Sequence, residues 1–336
     1  MLQPELERSL QSDLGKYLNA QELQILFAHN KVLTFSAGEI ILQQGKESNG
    51  IYVIIDGFAV AVAKILGEGT AELETLGRGD FLGEISFIEK IPCATSSVAK
   101  NQVQTLFISV NYMNFLSAYF PEIKYKLFRA ISEKVCNRLK KMHDKIIAII
   151  SNSTMVSSPA QSLFVEIINS LTRPVEMKVE ENNMHMNKLQ QFAIFHSFSQ
   201  DELTELFKHS VLLNVAKDCT LIHKGEKDAA CYIVIHGAVQ SSIVHENKVA
   251  KLSVIGPATL FAGIACVDDS FPFTITFASC EQAVLLKISK CDLLIFQGQK
   301  PTLWYKIFDL ICRSLVALEK SVDKLDIRLS IETYNR

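Results

Sequence analysis

Residues 50–65 read GIYVIIDGFAVAVAKI, and residues 230–244 read ACYIVIHGAVQSSIV. Each stretch is two runs rich in Val, Ile and Ala around one glycine, Gly57 or Gly237, the signature of two short strands joined by a turn. The offset of 180 residues between them holds in both directions along the chain. Upstream, Glu22, Leu23, Leu26, Phe27 and His29 return as Glu202, Leu203, Leu206, Phe207 and His209, and Gly45 and Tyr52 return as Gly225 and Tyr232. Downstream, Pro121, Tyr125, Lys126 and Phe128 return as Pro301, Tyr305, Lys306 and Phe308. Matches near both ends of each unit indicate a duplicated module, and 336 residues suffice for two cores.

Each copy opens on a helical segment, residues 19–30 and 199–210, with Leu23, Leu26 and Phe27 on one apolar face of the first. Strand-like runs follow, KVLTF, EIILQQG and AELETLG in the first copy, VLLNVA, TLIHKG and KVAKLSVIG in the second. Short strands punctuated by glycine predict a mainly β fold with flanking helices, each copy a compact antiparallel roll. Both copies end in long helices. Val135, Leu139, Met142, Ile146 and Ile149 step by fours and threes, as do Ile311, Leu315, Leu318, Val322, Leu325 and Leu329, a short heptad-like seam. The seams predict an internal pseudo-dimer; packing onto a homodimer partner, or only onto each helix's own roll, remains open. The expected division is a first domain at 1–150, a connector at 151–191 containing the helical run FVEIINSL, and a second domain at 192–336.

Bulk properties narrow the setting. Hydrophobic residues are 48% and charged residues 21%, which excludes a disordered chain, and a net charge of −2 gives no global case for nucleic acid. The eight cysteines, at 93, 136, 219, 231, 266, 280, 291 and 312, form no CxxC pair and read as small buried thiols in a reducing compartment. No apolar signal core opens the chain and no stretch is apolar enough to span a bilayer, so a cytoplasmic protein is expected. The first long helix carries a basic flank that includes Lys126, Arg129, Lys134, Arg138, Lys140 and Lys145. It reads as a solvated face, with an acidic partner or a membrane surface as the alternative. Met184, His185 and Met186 form one short soft-ligand run without a second cluster, so no metal site is expected.

The glycine-punctuated roll, the interrupting loop and the terminal helices together resemble the cyclic-nucleotide-binding domain family, present twice. The resemblance covers residues 14–150 and 192–330 and implies a double-stranded β-helix, jelly-roll-like, followed by long C-terminal helices. In that family a phosphate-binding cassette runs G-[ED]-[LIM]-[AS] and then P-R-x-[AST]. Gly83, Glu84, Ile85 and Ser86 match its first half. The resemblance implies that Glu84 accepts a hydrogen bond from the ribose 2′-hydroxyl and that the backbone N–H groups from Gly83 onward face the cyclic phosphate. The physics of such a turn agrees, since glycine allows close approach and free N–H groups attract an anion.

The second half departs from the family pattern. Pro92 is present, but Cys93 stands in the place of the phosphate-binding arginine, followed by Ala94 and Thr95. A thiol cannot supply a guanidinium fork, and its absence removes about 1.5–3 kcal/mol, one to two decades of affinity. Lys90 is the nearest substitute charge, and Ala94 points weakly to adenine over guanine. In the second copy Ala262 replaces the glycine, Gly263 the acid and Phe273 the arginine, so that pocket is expected to be filled by the protein's own side chains. The expected function is a non-catalytic regulatory or sensor protein in signal transduction. Its first domain alone would take cyclic AMP or cyclic GMP as ligand, with no cofactor required. The alternative is a ligand-free scaffold of two degenerate modules that docks an unidentified protein partner. No kinase, Walker, HExxH or GxSxG signature occurs, no helix-turn-helix is present, and neither an enzyme nor a DNA-binding protein is expected.

Overall fold

The computed structural model describes residues 13–65, 69–152, 173–177, 190–226, 230–246, 248–268 and 274–334. These fall into two compact units, residues 1–134 and 135–336. The first unit opens with α1 (Ala20–His29). Strands β1 (Lys31–Phe35), β2 (Ile40–Leu42), β3 (Gly50–Asp56), β4 (Ala59–Ile65), β5 (Gly69–Leu76) and β6 (Phe81–Leu82) follow. A short helix α2 (Glu84–Glu89) interrupts them before β7 (Ser96–Ala99) and β8 (Val103–Ser109). The strands form two antiparallel four-stranded sheets, in the orders β1-β8-β3-β6 and β2-β7-β4-β5. Helices α3 (Val110–Tyr119) and α4 (Pro121–Asn152) close the copy, and the division between the units falls inside α4.

In the second unit, β9 (Val175–Glu176) comes from the connector, and α5 (Gln200–Lys208) opens the roll. Strands β10 (Ser210–Val215), β11 (Thr220–Ile222), β12 (Ala230–His236), β13 (Val239–His245), β14 (Lys248–Ile255) and β15 (Leu260–Phe261) follow. They lead to α6 (Ile264–Val267), β16 (Thr276–Ser279), β17 (Ala283–Ser289), α7 (Lys290–Gln299) and α8 (Pro301–Tyr334). The sheets are β15-β12-β17-β10-β9 and β11-β16-β13-β14, so the second roll repeats the first and adds β9 as an edge. The helical run predicted at FVEIINSL and the soft-ligand run at Met184–Met186 lie outside the described residues.

Repeated residues make repeated contacts. Gly57 and Gly237 turn β3 into β4 and β12 into β13 at φ 85° and 77°. A Cβ would meet the carbonyl oxygen of Gln102 at 2.2 Å or of Gln282 at 2.4 Å, so only glycine fits either turn. Asn19 with Glu22, and Ser199 with Glu202, form capping boxes on α1 and α5. Each glutamate also takes an ion pair from its own unit's long helix, Lys126 Nζ to Glu22 at 2.7 Å and Lys306 Nζ to Glu202 at 2.6 Å. The recurrence of Glu and Lys in the sequence is therefore one clasp built twice. His29 and His209 also share a position, stacking on Tyr112 in one copy and facing Asp292 in the other.

Within the second unit, the part of α4 from Val135 onward packs against α8. Arg138 donates two hydrogen bonds to Glu319, Nε to Oε1 at 2.5 Å and the terminal nitrogen to Oε2 at 3.2 Å. Seven residues on, Lys145 pairs with Asp326 at 2.6 Å. Both pairs span 181 residues, so the two helices run parallel. The seam drifts from the predicted one. Val135, Leu139, Ile146 and Ile150 are buried with His143, whereas Met142 and Ile149 are half-buried. A straight α-helix turns every 3.6 residues, so a strict 3.5-residue seam drifts by about 20° per heptad. Burial holds the His143 imidazole below its ordinary pKa, with Lys224 and His245 adding to it against Asp144. The basic flank differs from the solvated face predicted for it. Lys126, Lys134, Arg138, Lys140 and Lys145 each meet an acid of the chain, respectively Glu22, Asp80, Glu319, Asp268 and Asp326.

Candidate functional site

In the first unit the cassette begins where β6 ends. Gly83 is in the left-handed region at φ 82° and precedes α2 without any side-chain cap, which leaves the first N–H groups of that helix without an intrahelical acceptor. A Cβ on Gly83 would meet Ser48 Oγ at 2.8 Å and Leu42 Cδ1 at 3.1 Å, so both its conformation and its surroundings require glycine. Glu84 is 5% exposed, Ile85 half-buried and Ser86 buried. Ser86 Oγ accepts from the Ser48 N–H at 2.9 Å and donates to the Ile91 carbonyl at 2.5 Å, which clamps the cassette turn to the 43–48 loop.

Cys93 joins the same group. Its N–H donates to the Lys46 carbonyl at 2.8 Å and its carbonyl accepts from Gly45 N–H at 2.9 Å. Its half-buried side chain packs on the core cluster that includes Leu42, Ile54, Leu82 and Val103, as do Phe35 and Tyr52. Burial pushes the thiol up; Glu84 adds to this, while a hydrogen bond with Ser86 opposes it. The thiol therefore stays protonated and neutral. Tyr52 is pushed up by burial and by Cys93. The cassette thus brings Gly83, Glu84, Ser86 and Cys93 together, with Thr95 half-buried just before β7. Ala94 is exposed, and so is Lys90, at the far end of α2. Ser48 and Tyr52 belong to the site and were not singled out for it from sequence. Tyr52 recurs as Tyr232, and Gly45 in the Ser48 loop recurs as Gly225, the one trace of that region in the sequence.

The second copy keeps the left-handed turn and changes the chemistry. Tyr232 pairs with Phe261 as Tyr52 pairs with Leu82, which places Ala262 at the Gly83 position and Gly263 at the Glu84 position. Ala262 keeps the left-handed conformation at φ 63°, which costs an L-residue about 1–2 kcal/mol. A Cβ on Gly263 would meet Ser314 Oγ at 2.6 Å and Ile311 Cγ2 at 3.1 Å, so α8 occupies the space a glutamate there would need. A cavity of about 200 Å³ remains, lined among others by Thr259, Phe261, Ala262, Thr274, Leu315 and Leu318. Asp268 is paired with Lys140. Phe273 and Asp269 lie outside the described residues. Among the described residues no group of three or more His, Cys, Asp or Glu side chains is placed to hold a metal, and no helix is long and apolar enough to cross a membrane.

Residues 32–118 and 212–299, together more than half of the chain, each match the cyclic nucleotide-binding domain. The chain belongs to that family. Two curated relatives are similar over single stretches. Solute carrier family 9 member C1 of Mus musculus is 28% identical over 116 residues, 30% of this chain and 10% of its own length. The cAMP-dependent protein kinase regulatory subunit of Dictyostelium discoideum is 29% identical over 136 residues, 40% of this chain and 41% of its own length. The matched stretches thus span less than half of either relative. Among solved structures, the regulatory domain of Toxoplasma gondii PKA with cAMP aligns over 90% of this chain and 93% of that one, at 12% identity and a TM-score of 0.32. The sensor domain of the transcriptional regulator DNR from Pseudomonas aeruginosa aligns over 37% of this chain and 84% of that one, at 24% identity and a TM-score of 0.33.

Proposed function

We propose that this member of the cyclic nucleotide-binding family is a non-catalytic cytosolic regulator whose first domain, residues 1–150, takes cyclic AMP or a related cyclic nucleotide with reduced affinity. Its proposed site is Gly83, Glu84, Ile85, Ser86, Cys93, Ala94 and Thr95. The observation that carries this reading is the left-handed Gly83 placed ahead of a buried Glu84, a backbone retained in a copy that has lost only its arginine. The second domain, residues 192–336 beyond a connector at 151–191, serves as a structural partner, because α8 stands where its acid would project. The parallel pairing of α4 with α8 supports helix packing within one chain, without a second copy. Ligand binding then signals by favouring one arrangement of the long helix over another.

A second reading has its own support. The Cys93 thiol is neutral, half-buried and packed on the core, so both rolls serve as ligand-free scaffolds for a protein partner. Calorimetric titration of the full chain with cyclic AMP, then cyclic GMP, separates the two. Saturable one-to-one binding that Glu84→Ala abolishes supports the sensor. No heat up to millimolar nucleotide from folded, ligand-free protein rejects it and leaves the scaffold.

A further inference from the structure

Both rolls present the same sheet edge, and among the described residues only one of the two is covered. In the second unit β9 lies along β10, with Val175 opposite Asn214 and Glu176 opposite Leu213, and the Met177 N–H donates to the Leu212 carbonyl at 3.0 Å. In the first unit β1 takes the place of β10. Leu33 faces Thr105 of β8 as Leu213 faces Leu285 of β17, so the two strands share one register at the offset of the repeat. β1 is the outermost strand of its sheet, and among the described residues no strand pairs with its outer side. The shared register turns the N–H and C=O groups of Val32 and Thr34 outward, as it turns those of Leu212 toward β9. Leu212 and Leu213 are 4% and 7% exposed, whereas Val32 and Leu33 are only half-buried.

We propose that the outer edge of β1 is a docking site for an extended segment of a partner protein, which adds to the first roll as β9 adds to the second. An edge strand is usually blunted by a proline, a bulge or several charges, and β1 has an unbroken register, no proline and one charge, Lys31. The inference goes beyond the nucleotide reading and stands whether or not the cassette binds a ligand.

The occupied edge defines the chemistry of the segment. Thr34 stands for Asn214 and Val32 for Leu212, so an incoming strand meets a polar and then an apolar position, as Val175 and Met177 do. One step further the register reaches exposed Lys31, where the second roll has Val211. An acid opposite Lys31 gains a cross-strand pair, and a base there is repelled. An antiparallel segment then leaves at the end of β1 that follows α1, where His29 stacks on Tyr112. From Tyr112 a row of aromatic rings runs to Phe115 at 5.8 Å, and from Phe115 to Tyr119 at 5.0 Å and Phe120 at 5.6 Å. Tyr119 is 71% exposed, and Phe115 and Phe120 are 39% exposed. The second copy has Asp292, Ile295, Gln299 and Lys300 at these four positions, so the aromatic surface belongs to the first roll alone. The partner segment is therefore extended, apolar opposite Thr34 and Val32, acidic opposite Lys31 and apolar beyond it.

The probe is a synthetic peptide of residues 172–180, TRPVEMKVE, carrying Lys178→Glu, titrated into the isotope-labelled full chain and followed by amide NMR. The expected result is saturable shifts and slowed amide exchange at Val32 and Thr34, with Leu212 unchanged because β9 already holds its edge. N-methylation of the peptide at Met177 removes the donor to the Val32 carbonyl and should weaken binding by about 2- to 10-fold. The peptide that keeps Lys178 should bind about 2- to 5-fold less tightly, a gap that closes in high salt. Slow exchange of Val32 and Thr34 in the free chain would show that the chain itself covers the edge and would overturn the proposal. So would shifts confined to β10, no shift at Val32 or Thr34 with millimolar peptide, or equal binding of the N-methylated form. The protein carries no substitution in any arm, so a failure to fold cannot stand in for a failure to bind.

Discussion

Truncating Glu319 to alanine should cost the α4–α8 pairing more than any surface ion pair in the chain. The Arg138 side chain is 10% exposed and that of Glu319 3%, and the guanidinium donates two bonds to the carboxylate. With Glu319 gone, a buried cation is left with its main partner missing, a penalty of about 3–5 kcal/mol. A unit of roughly 200 residues loses about 2–4 °C per kcal/mol, so Tm should fall by about 6–20 °C. Arg138→Met with Glu319→Leu removes both charges from an apolar seam and should return to within about 1 kcal/mol of the parent, or above it. Lys16→Ala, which breaks a pair whose lysine is exposed, should cost at most about 1 kcal/mol. Urea and thermal unfolding of these three variants, together with the single variants Arg138→Met and Glu319→Leu, measure the cycle. The reasoning fails if Glu319→Ala loses under about 1 kcal/mol, or if the double variant shows the sum of the two single losses. Either result would mean that water or another acid already satisfies Arg138.

Cys93→Arg should raise cyclic-nucleotide affinity about 10- to 100-fold by calorimetry, since it restores the charged donor worth roughly 1.5–3 kcal/mol; an unchanged affinity would show that the guanidinium cannot reach the phosphate from this backbone. Gly57→Ala should destabilise the first unit by at least about 1–2 kcal/mol in urea, because φ 85° and the Gln102 carbonyl both oppose a Cβ. Burial pushes Glu202 up, but Lys306 and the Ser199 N–H outweigh it and hold the carboxyl below 4.5. Its contribution is therefore complete above pH 4.5 and lost as pH falls through the folded value, so Glu202→Gln should flatten that acid limb in pH-dependent unfolding.

The repeat made most of the fold legible, because residues forced by geometry recur visibly. Gly57 and Gly237 recur because a carbonyl stands where a Cβ would go, and Glu22 with Lys126 recurs because helix and helix are clasped the same way twice. Long-range pairing left no such mark. The basic flank of α4 reads as a solvated face in one dimension, since the acids that meet Arg138 and Lys145 lie 181 residues away. The seam was legible to within one position, Met142 giving way to His143 and Ile149 to Ile150, because spacing alone does not reveal how far a helix has rotated. At the cassette, Gly83 and Glu84 were readable as a motif. Ser48, which clamps the turn, was not, since a single serine in a loop has no periodicity to betray it. Ala262 was legible as a lost glycine, but only the backbone shows that the left-handed turn outlived it.

The two cassettes depart from the family pattern in different ways. In the first, the backbone that presents N–H groups is intact, the acid is in place, and one side chain, Cys93, has changed the charge. A single substitution there tests recovery. In the second, Ala262 preserves the turn while Gly263 removes the acid, and restoring a glutamate would drive its Cβ into Ser314 of α8. Regaining an anion site thus requires α8 to move, and α8 is held by the buried Arg138–Glu319 pair and by the Lys145–Asp326 pair beyond it. The contact that closes the second cassette is therefore fastened by the same helix pairing that joins the long helices.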